Sequence, residues 1–320
     1  MWCGGSALLS AAASRRGDDR EATEAERAGT DPERDRGDLA TGRGQRGASA
    51  ASAATRAAAG ATAAGRLGRT ARTSRLPRSL ATPRRPRWHR LVVSGVESAG
   101  PDLVIVTLDV PEEARDAFIR YDAGQYLTVR VDTPGGPASR SYSIATAPSA
   151  ARATGRIRIG VTVVPGGQVS PLVARWAPGT DVDVLPPLGD LVLPPRARGP
   201  VLAIGGGSGI TPVVAIAGEW VETGRDGRLT VVHVARDDAR AMFAGELAAL
   251  AEAHAGSVEL LPVRTAVHGW PTEQSLRRLL GDRLRGGPVL VAGPEGLVRV
   301  VEAAADGPVL SEVFHGGHPD

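Results

Sequence analysis

The segment Val201–Pro212, VLAIGGGSGITP, leaves few options for the second half of this chain: a short apolar run enters a turn holding four glycines and leaves through Thr-Pro. An uninterrupted apolar run of this length suits a strand covered on both faces. Thr211 and Pro212 supply a helix cap and a first helical residue. Strand, glycine turn and helix in that order belong to a parallel α/β sheet. The runs LTVVHVA, SVELLPV and PVLVAG repeat the pattern. PVVAIAGEWVE, ARAMFAGELAALAEA, TEQSLRRLL and EGLVRVVEAAA supply the helices. The turn departs from G-x-G-x-x-G because position 210 is Ile, and the same residue rules out a G-x-S-x-G elbow around Ser208. A glycine turn serving packing alone is the competing reading.

Upstream the patterning changes. WHRLVVSGVE, DLVIVTLDV, YLTVRVD and RIRIGVTVV are β-branched runs with partial alternation, separated by Gly, Pro and Asp, and predict a barrel or sandwich beginning near Trp88. The Pro, Gly and Arg segment from Pro194 to Pro200 has linker character. The expected organisation is therefore residues 1–85 without fold, a β-domain over 86–197 and an α/β domain over 198–315. Residues 1–85 are expected to be disordered, since Ala, Arg, Gly, Ser and Thr bury too little surface to offset the entropy of ordering. Their acids between Asp18 and Asp38 argue against a transit peptide, and the short apolar opening lacks the basic lead of a signal peptide.

Charge follows the same division. Residues 1–90 hold 18 Arg against 9 acids, and residues 91–320 hold 20 Arg against 26 acids, so the net +3 hides a mildly acidic body. The chain has no Lys and no Asn, a compositional bias that removes Arg-richness as a nucleic-acid signal. A single cysteine, Cys3, excludes an internal disulfide, an iron–sulfur cluster and a cysteine zinc site, and points to a reducing, cytoplasmic setting. No stretch approaches the roughly 18 apolar residues of a membrane span. Of the six histidines, His315 and His318 alone have metal-ligand spacing, and two ligands do not make a site, so no metal is expected. Nothing in the pattern sets an oligomeric state.

Four segments carry chemistry. Arg140-Ser141-Tyr142-Ser143 leaves a loop and enters a strand, so Arg140 and Tyr142 share one face and the serines the other. A flavin needs a cation for its phosphates, a flat aromatic for its ring and a small donor where hydride arrives. An exposed arginine, a half-buried tyrosine and two strand serines would read the same alone. Gly167-Gln168-Val169-Ser170-Pro171 places Ser170 as a cap before a short helix whose free N–H groups suit phosphate; an ordinary capped turn is the alternative. The third is the turn from Gly205 to Pro212. The fourth, Ala292-Gly293-Pro294, follows another strand and should lie beside it at the sheet's carboxyl edge.

Taken in order, Arg-x-Tyr-Ser, Gly-x-x-Ser, Gly-Gly-x-Gly-Ile-Thr-Pro and Gly-Pro resemble the ferredoxin–NADP reductase superfamily over residues 88–315. Gly124-Gln125-Tyr126 and Ser311-Glu312-Val313-Phe314 extend the resemblance, the latter similar to the terminal Glu-x-Phe of bacterial members. It implies a six-stranded antiparallel FAD-binding barrel followed by a parallel-sheet NAD(P)-binding domain. It further implies Arg140 on the flavin phosphates, Tyr142 on the isoalloxazine, Ser141 and Ser143 in the flavin site with Ser143 near N5, and Gly167, Gln168, Val169 and Ser170 on the pyrophosphate. Gly206, Gly207, Gly209 and Thr211 would bind the nicotinamide dinucleotide, with Gly293 and Pro294 at its nicotinamide end. Ser143, Tyr142, Glu312 and Phe314 form the implied catalytic group, Phe314 shielding the flavin and moving aside for nicotinamide. The implied activity is hydride transfer from NADPH or NADH to FAD, with FMN less favoured, and onward electron transfer to a ferredoxin or oxygenase component. A reductase of oxygen or ferric chelates stays open.

Two departures matter. Ala292 stands where members usually have Cys, which puts hydride transfer in question more than binding and leaves a weakened regulatory module as the alternative. The chain also ends without an appended [2Fe–2S] domain, so a separate acceptor is expected. For the nucleotide, Arg236 and Arg240 suit a 2′-phosphate, whereas Asp237 and Asp238 suit a free hydroxyl. The balance favours NADPH.

Overall fold

The protein is described here from a computed structural model, which covers residues 87–194, 197 and 199–314. The expectations for residues 1–85, Cys3, His315 and His318 lie outside these residues.

The first half holds six strands: β1 (His89–Gly100), β2 (Leu103–Asp109), β3 (Tyr126–Thr133), β4 (Gly136–Ser143), β5 (Arg156–Thr162) and β6 (Asp181–Leu188). They form one antiparallel sheet in the order β4-β3-β6-β1-β2-β5. The outer strands meet just beyond β4, where Ile144 bridges Ile159 of β5 and the Ala145 N–H donates to the Arg158 carbonyl at 2.8 Å. That contact closes the sheet into a barrel. Alternate residues point inward, as a half-buried strand requires: Leu91 and Val93, Val106 and Leu108, Leu127 and Val129, Ile157 and Ile159, Val182 and Val184 share a core with Phe118. Short helices α1 (Arg115–Phe118), α2 (Pro148–Thr154) and α3 (Ser170–Val173) fill the connections.

The second half is a five-stranded parallel sheet. In chain order it runs β7 (Val201–Gly206), α4 (Ile210–Glu222), β8 (Leu229–Ala235), α5 (Ala244–Ala253), β9 (Val258–Arg264), α6 (Thr265–His268), α7 (Glu273–Leu280), β10 (Val289–Gly293), α8 (Glu295–Ala304) and β11 (Val309–Val313). Strand order is β11-β10-β7-β8-β9, with β7 central. The chain moves outward through β8 and β9, then returns to the other side of β7 for β10 and β11. The switch point therefore lies between the carboxyl ends of β7 and β10, where an open α/β sheet forms its crevice. Strands β7 and β8 are buried along their whole length, as their continuous apolar runs predict.

Two predicted elements begin elsewhere. The segment expected to be helical from Ala239 starts its α-helix only at Ala244, because Phe243 takes a left-handed conformation (φ 61°) and Asp237 caps a separate 3-10 turn by accepting from the Arg240 N–H. Arg140–Ser143 end a strand instead of entering one. Just ahead of the expected connection, Leu191 and Leu193 are buried in the core of the second half.

That core is shared. Leu103 and Ala145 of the barrel pack with Val213, Ile216, Trp220 and Phe243. At the surface of the same junction Arg158 bonds Glu246 through both guanidinium branches (3.0 and 2.7 Å), and Ser149 donates to Glu219 at 2.7 Å. Trp220 is fully buried with its indole N–H unpartnered. Trp220→Ala is therefore expected to cost about 3–5 kcal/mol through the cavity it opens, whereas Trp220→Phe, which also removes the orphaned donor, should cost less than about 1 kcal/mol. Urea unfolding of the two variants measures this, and equal losses would contradict it.

Candidate functional site

A cleft of about 410 Å³ opens where barrel and parallel sheet meet. The barrel contributes Tyr126, Arg140, Ser141, Tyr142, Ser143, Gly160, Gln168 and Ser170; the second half contributes Ser208, Glu312, Val313 and Phe314. Residues separated by nearly the whole folded chain thus converge on one space.

On the barrel side, the end of β4 grades from solvent to core. Arg140 is exposed, Tyr142 half-buried and Ser143 buried. The Arg140 guanidinium bonds only the neighbouring Ser139 carbonyl (2.9 Å) among the described residues, which leaves its charge without an acid. Burial pushes the Tyr142 phenol up to about 12, so the ring stays neutral. Ser141 is held by Thr128 on the adjacent strand, with their hydroxyls 3.0 Å apart.

Ser170 does not act as predicted. The helix starts at Ser170 itself, with no side-chain cap, and is only four residues long. The Ser170 hydroxyl instead accepts from the Val164 N–H at 3.0 Å and closes the hairpin that carries Gly167 and Gln168. A Cβ on Gly167 would lie 2.9 Å from the Val164 carbonyl oxygen, so this glycine is required by the turn.

The switch-point glycines divide in the same way. A Cβ on Gly206 would strike Leu297, and one on Gly209 would strike the Ala292 carbonyl. Their absence of side chain lets the turns after β7 and β10 interlock. Gly207, with φ 57°, faces open space. Thr211 is 1% exposed and donates to the Ser208 carbonyl at 2.7 Å, while the helix begins one residue earlier at Ile210. The expected cap role is therefore corrected: Thr211 turns inward and fixes the glycine turn.

Glu312 enters from β11, aligned with Ala292 on β10. Its Oε2 is buried without a hydrogen-bond partner. Burial pushes the carboxyl up to about 7, and the Ser143 hydroxyl alongside pulls in the opposite direction. Phe314 is tied to the Gly293 carbonyl through its backbone N–H at 2.8 Å, which links the end of the described chain to the Gly-Pro turn.

Arg236 and Arg240 separate. Arg240 bonds Asp237 at 2.9 Å and lies 3.8 Å from Asp102 of the barrel, so it is engaged. Asp238 is paired with Arg264 at 2.6 Å. Both acids that opposed a phosphate are thus neutralised, and Arg236 is exposed with no side-chain partner among the described residues. One residue that local patterning did not single out lies at the same edge. Trp270 is 46% exposed, on the segment that follows α6, with its indole 3.8 Å from where a Gly296 Cβ would sit. The Ala266 N–H donates to the Arg236 carbonyl at 2.9 Å, which ties that segment to the end of β8. An exposed indole at the carboxyl edge of a parallel sheet is the signal, visible only once the sheet is assembled. Among the described residues no group of His, Cys, Asp and Glu could hold a metal, and no helix is long and apolar enough to cross a membrane.

Residues 90–192 match the oxidoreductase FAD-binding domain family and residues 203–303 match the oxidoreductase NAD-binding domain family. The chain belongs to the ferredoxin–NADP reductase superfamily. Its relatives within the superfamily include the ferredoxin reductase component of 3-ketosteroid-9-alpha-monooxygenase from Rhodococcus rhodochrous, 34% identical over 58% of this chain and 52% of the relative. A component of 1,2-phenylacetyl-CoA epoxidase from Escherichia coli is 32% identical over 54% of this chain and 48% of the relative. Among solved structures, the cytochrome P450 reductase of Amycolatopsis aligns with a TM-score of 0.59 at 28% identity, over 72% of this chain and 71% of that one. The chain matches about half the length of these two curated relatives. As a superfamily member it carries an FAD-binding barrel and an NAD(P)-binding α/β domain.

Proposed function

We propose that this chain is a flavin-dependent NAD(P)H oxidoreductase, with residues 86–197 holding FAD and residues 198–315 presenting the nicotinamide nucleotide, and that it passes electrons to a separate ferredoxin or oxygenase component in the cytoplasm. One observation carries the reading: the cleft brings an unpaired guanidinium, a neutral half-buried aromatic and a buried serine from the barrel against a half-buried carboxyl, one oxygen of which has no partner, and a phenylalanine from the sheet. These groups fit a flavin. Arg140 would hold its phosphates, Tyr142 would lie against its ring, and Ser143 would donate at the position that receives hydride. When bound, the flavin supplies the conversion of a two-electron hydride into single electrons. Gln168 and Val169 would add backbone donors, and Phe314 would cover the remaining face until nicotinamide arrives. Glu312 would hold a proton beside Ser143.

The nucleotide would lie across the switch point, over open Gly207 and beside Gly293 and Pro294. Trp270 would stack its adenine and Arg236 would bind a 2′-phosphate. On that basis Trp270→Ala is expected to raise KM for the nucleotide about tenfold with little change in kcat. Arg236→Ala should raise KM for NADPH about tenfold and leave NADH unaffected. Steady-state kinetics with both nucleotides decides, and a matching loss with NADH would remove Arg236 from phosphate recognition.

The direct test of the function is anaerobic titration of the flavin-loaded protein with NADPH and, separately, NADH. Rapid bleaching of the flavin is expected. Slow bleaching by both nucleotides would point instead to a weakened module with Ala292 as its mark, and failure to bind any flavin would end the reading.

A further inference from the structure

Strand β5 divides its residues between two surroundings. Ile157, Ile159 and Val161 are buried in the barrel core, and the alternate residues Arg158, Gly160 and Thr162 point away from it. This outward row runs from the domain junction into the cleft. At one end Arg158 bonds Glu246 of α5, and its guanidinium carbon lies 5.6 Å from the centre of the Phe243 ring. At the other end Thr162 lines the cleft. Between them Gly160 leaves a seat: a Cβ there would lie 2.5 Å from the Met242 sulfur, 2.6 Å from Thr211 Oγ1 and 3.2 Å from the Phe243 ring. Met242 and Phe243 are buried, although they belong to the connection between β8 and α5.

Phe243 is also the one non-glycine residue with a left-handed φ among the described residues, at 61°. That conformation is unfavourable for a residue with a side chain and persists where the surroundings over-determine it. Here the seat on β5 does so. The turn at Phe243 brings ring and thioether onto Gly160 and starts α5 so that Glu246 reaches Arg158. The seat reaches the cleft through Thr211, whose hydroxyl faces Gly160 and donates to the Ser208 carbonyl at 2.7 Å. Ser208 lines the same cleft as Tyr142 and Ser143. The thickness of one glycine thus fixes how near the turn after β7 comes to the barrel.

We propose that the Met242–Phe243 corner seated on Gly160 is a positioning device that sets the approach of the nicotinamide to the flavin. The inference rests on the flavin and nucleotide reading of the cleft and deepens it by assigning residues that act on the hydride-transfer distance. Gly160, Met242 and Phe243 act through Thr211 and the glycine turn. A displacement of about 1 Å at a reacting centre is enough to slow a transfer by about two orders of magnitude, so one methyl at the seat has a large lever.

The test uses the flavin-loaded full chain as native protein, Gly160→Ala, Gly160→Ala with Met242→Ala, and Arg158→Ala. Flavin content, NADPH affinity, anaerobic reduction rate, the long-wavelength charge-transfer absorbance between nicotinamide and flavin, and the isotope effect of NADPH deuterated at the transferred position are measured. Gly160→Ala should keep its flavin and its NADPH affinity, slow reduction about thirtyfold, weaken the charge-transfer absorbance and enlarge the isotope effect. Removing the Met242 thioether in the double variant should recover part of that loss, because the two sites are in contact. Arg158→Ala, at the solvent edge of the junction, tests the seat without crowding it and should slow reduction about fivefold with flavin content unchanged. Gly160→Ala and Arg158→Ala variants reduced at the native rate would overturn the proposal, as would a Gly160→Ala loss that lies wholly in flavin affinity or is unchanged by Met242→Ala. In those cases the native protein is still reduced, so the functional reading stands; a native protein that takes up no flavin, or whose flavin neither nucleotide reduces, would remove that reading instead.

Discussion

Replacing Ser143 by Ala is expected to slow reduction of the bound flavin by NADPH about hundredfold, with flavin content preserved. The hydroxyl is buried and sits at the end of a strand whose position is fixed by pairing on β3, so its removal deletes a donor without disturbing the fold. Glu312 should modulate the same step with a definite sign. Its carboxyl is protonated in the folded protein up to about 7. Above that pH the carboxylate competes for the Ser143 hydrogen, so the reduction rate should fall as pH rises through about 7. Glu312→Gln should flatten that profile. Stability follows the same group: because the folded value lies above the ordinary carboxylate value, its favourable contribution is complete at acid pH and is lost as pH rises from the ordinary range through about 7. Melting temperatures of native protein and Glu312→Gln should therefore diverge in favour of Gln between pH 5 and pH 8. Stopped-flow traces across pH measure the rate effect, and a Ser143→Ala variant as fast as the native protein would take Ser143 out of the mechanism.

The second large effect separates two glycines that look alike on paper. Gly209→Ala would push a methyl into the Ala292 carbonyl and within 2.7 Å of the Gly293 Cα. Both are backbone atoms of the facing turn, so relief requires the carboxyl ends of β7 and β10 to part. The expected cost is about 3 kcal/mol, together with loss of nucleotide binding. Gly207→Ala meets open space and pays only for its left-handed φ, about 1 kcal/mol. Urea denaturation with a nucleotide titration of each variant tests the pair, and equal costs would show that interlocking of the two turns is not what requires Gly209.

How much of this was legible without coordinates depends on the range of each interaction. Barrel strands and the strand, glycine turn and helix units announce themselves because period-two alternation, continuous apolar runs and glycine turns are local signals. That Arg140, Tyr142 and Ser143 sit together followed for the same reason, since one strand presents all three to the cleft. Ser170 and Thr211 have the residue types of helix caps and yet do not cap, because their hydroxyls found partners six and three residues back. Arg236 and Arg240 were indistinguishable by type and neighbourhood; Asp102, more than a hundred residues earlier in the chain, lies beside Arg240, and Arg236 has no side-chain partner among the described residues.

The sequence by itself determined the two fold types, their order and the motifs that each strand end carries, since these depend on neighbours a few residues apart. Tertiary structure alone decided that Glu312 meets Ser143, that Trp270 reaches the sheet's carboxyl edge, and that Gly206 and Gly209 serve interlocking while Gly207 stays open. Those outcomes depend on strand register and on the packing of the barrel against the sheet, through contacts between residues far apart in the chain that no local pattern encodes.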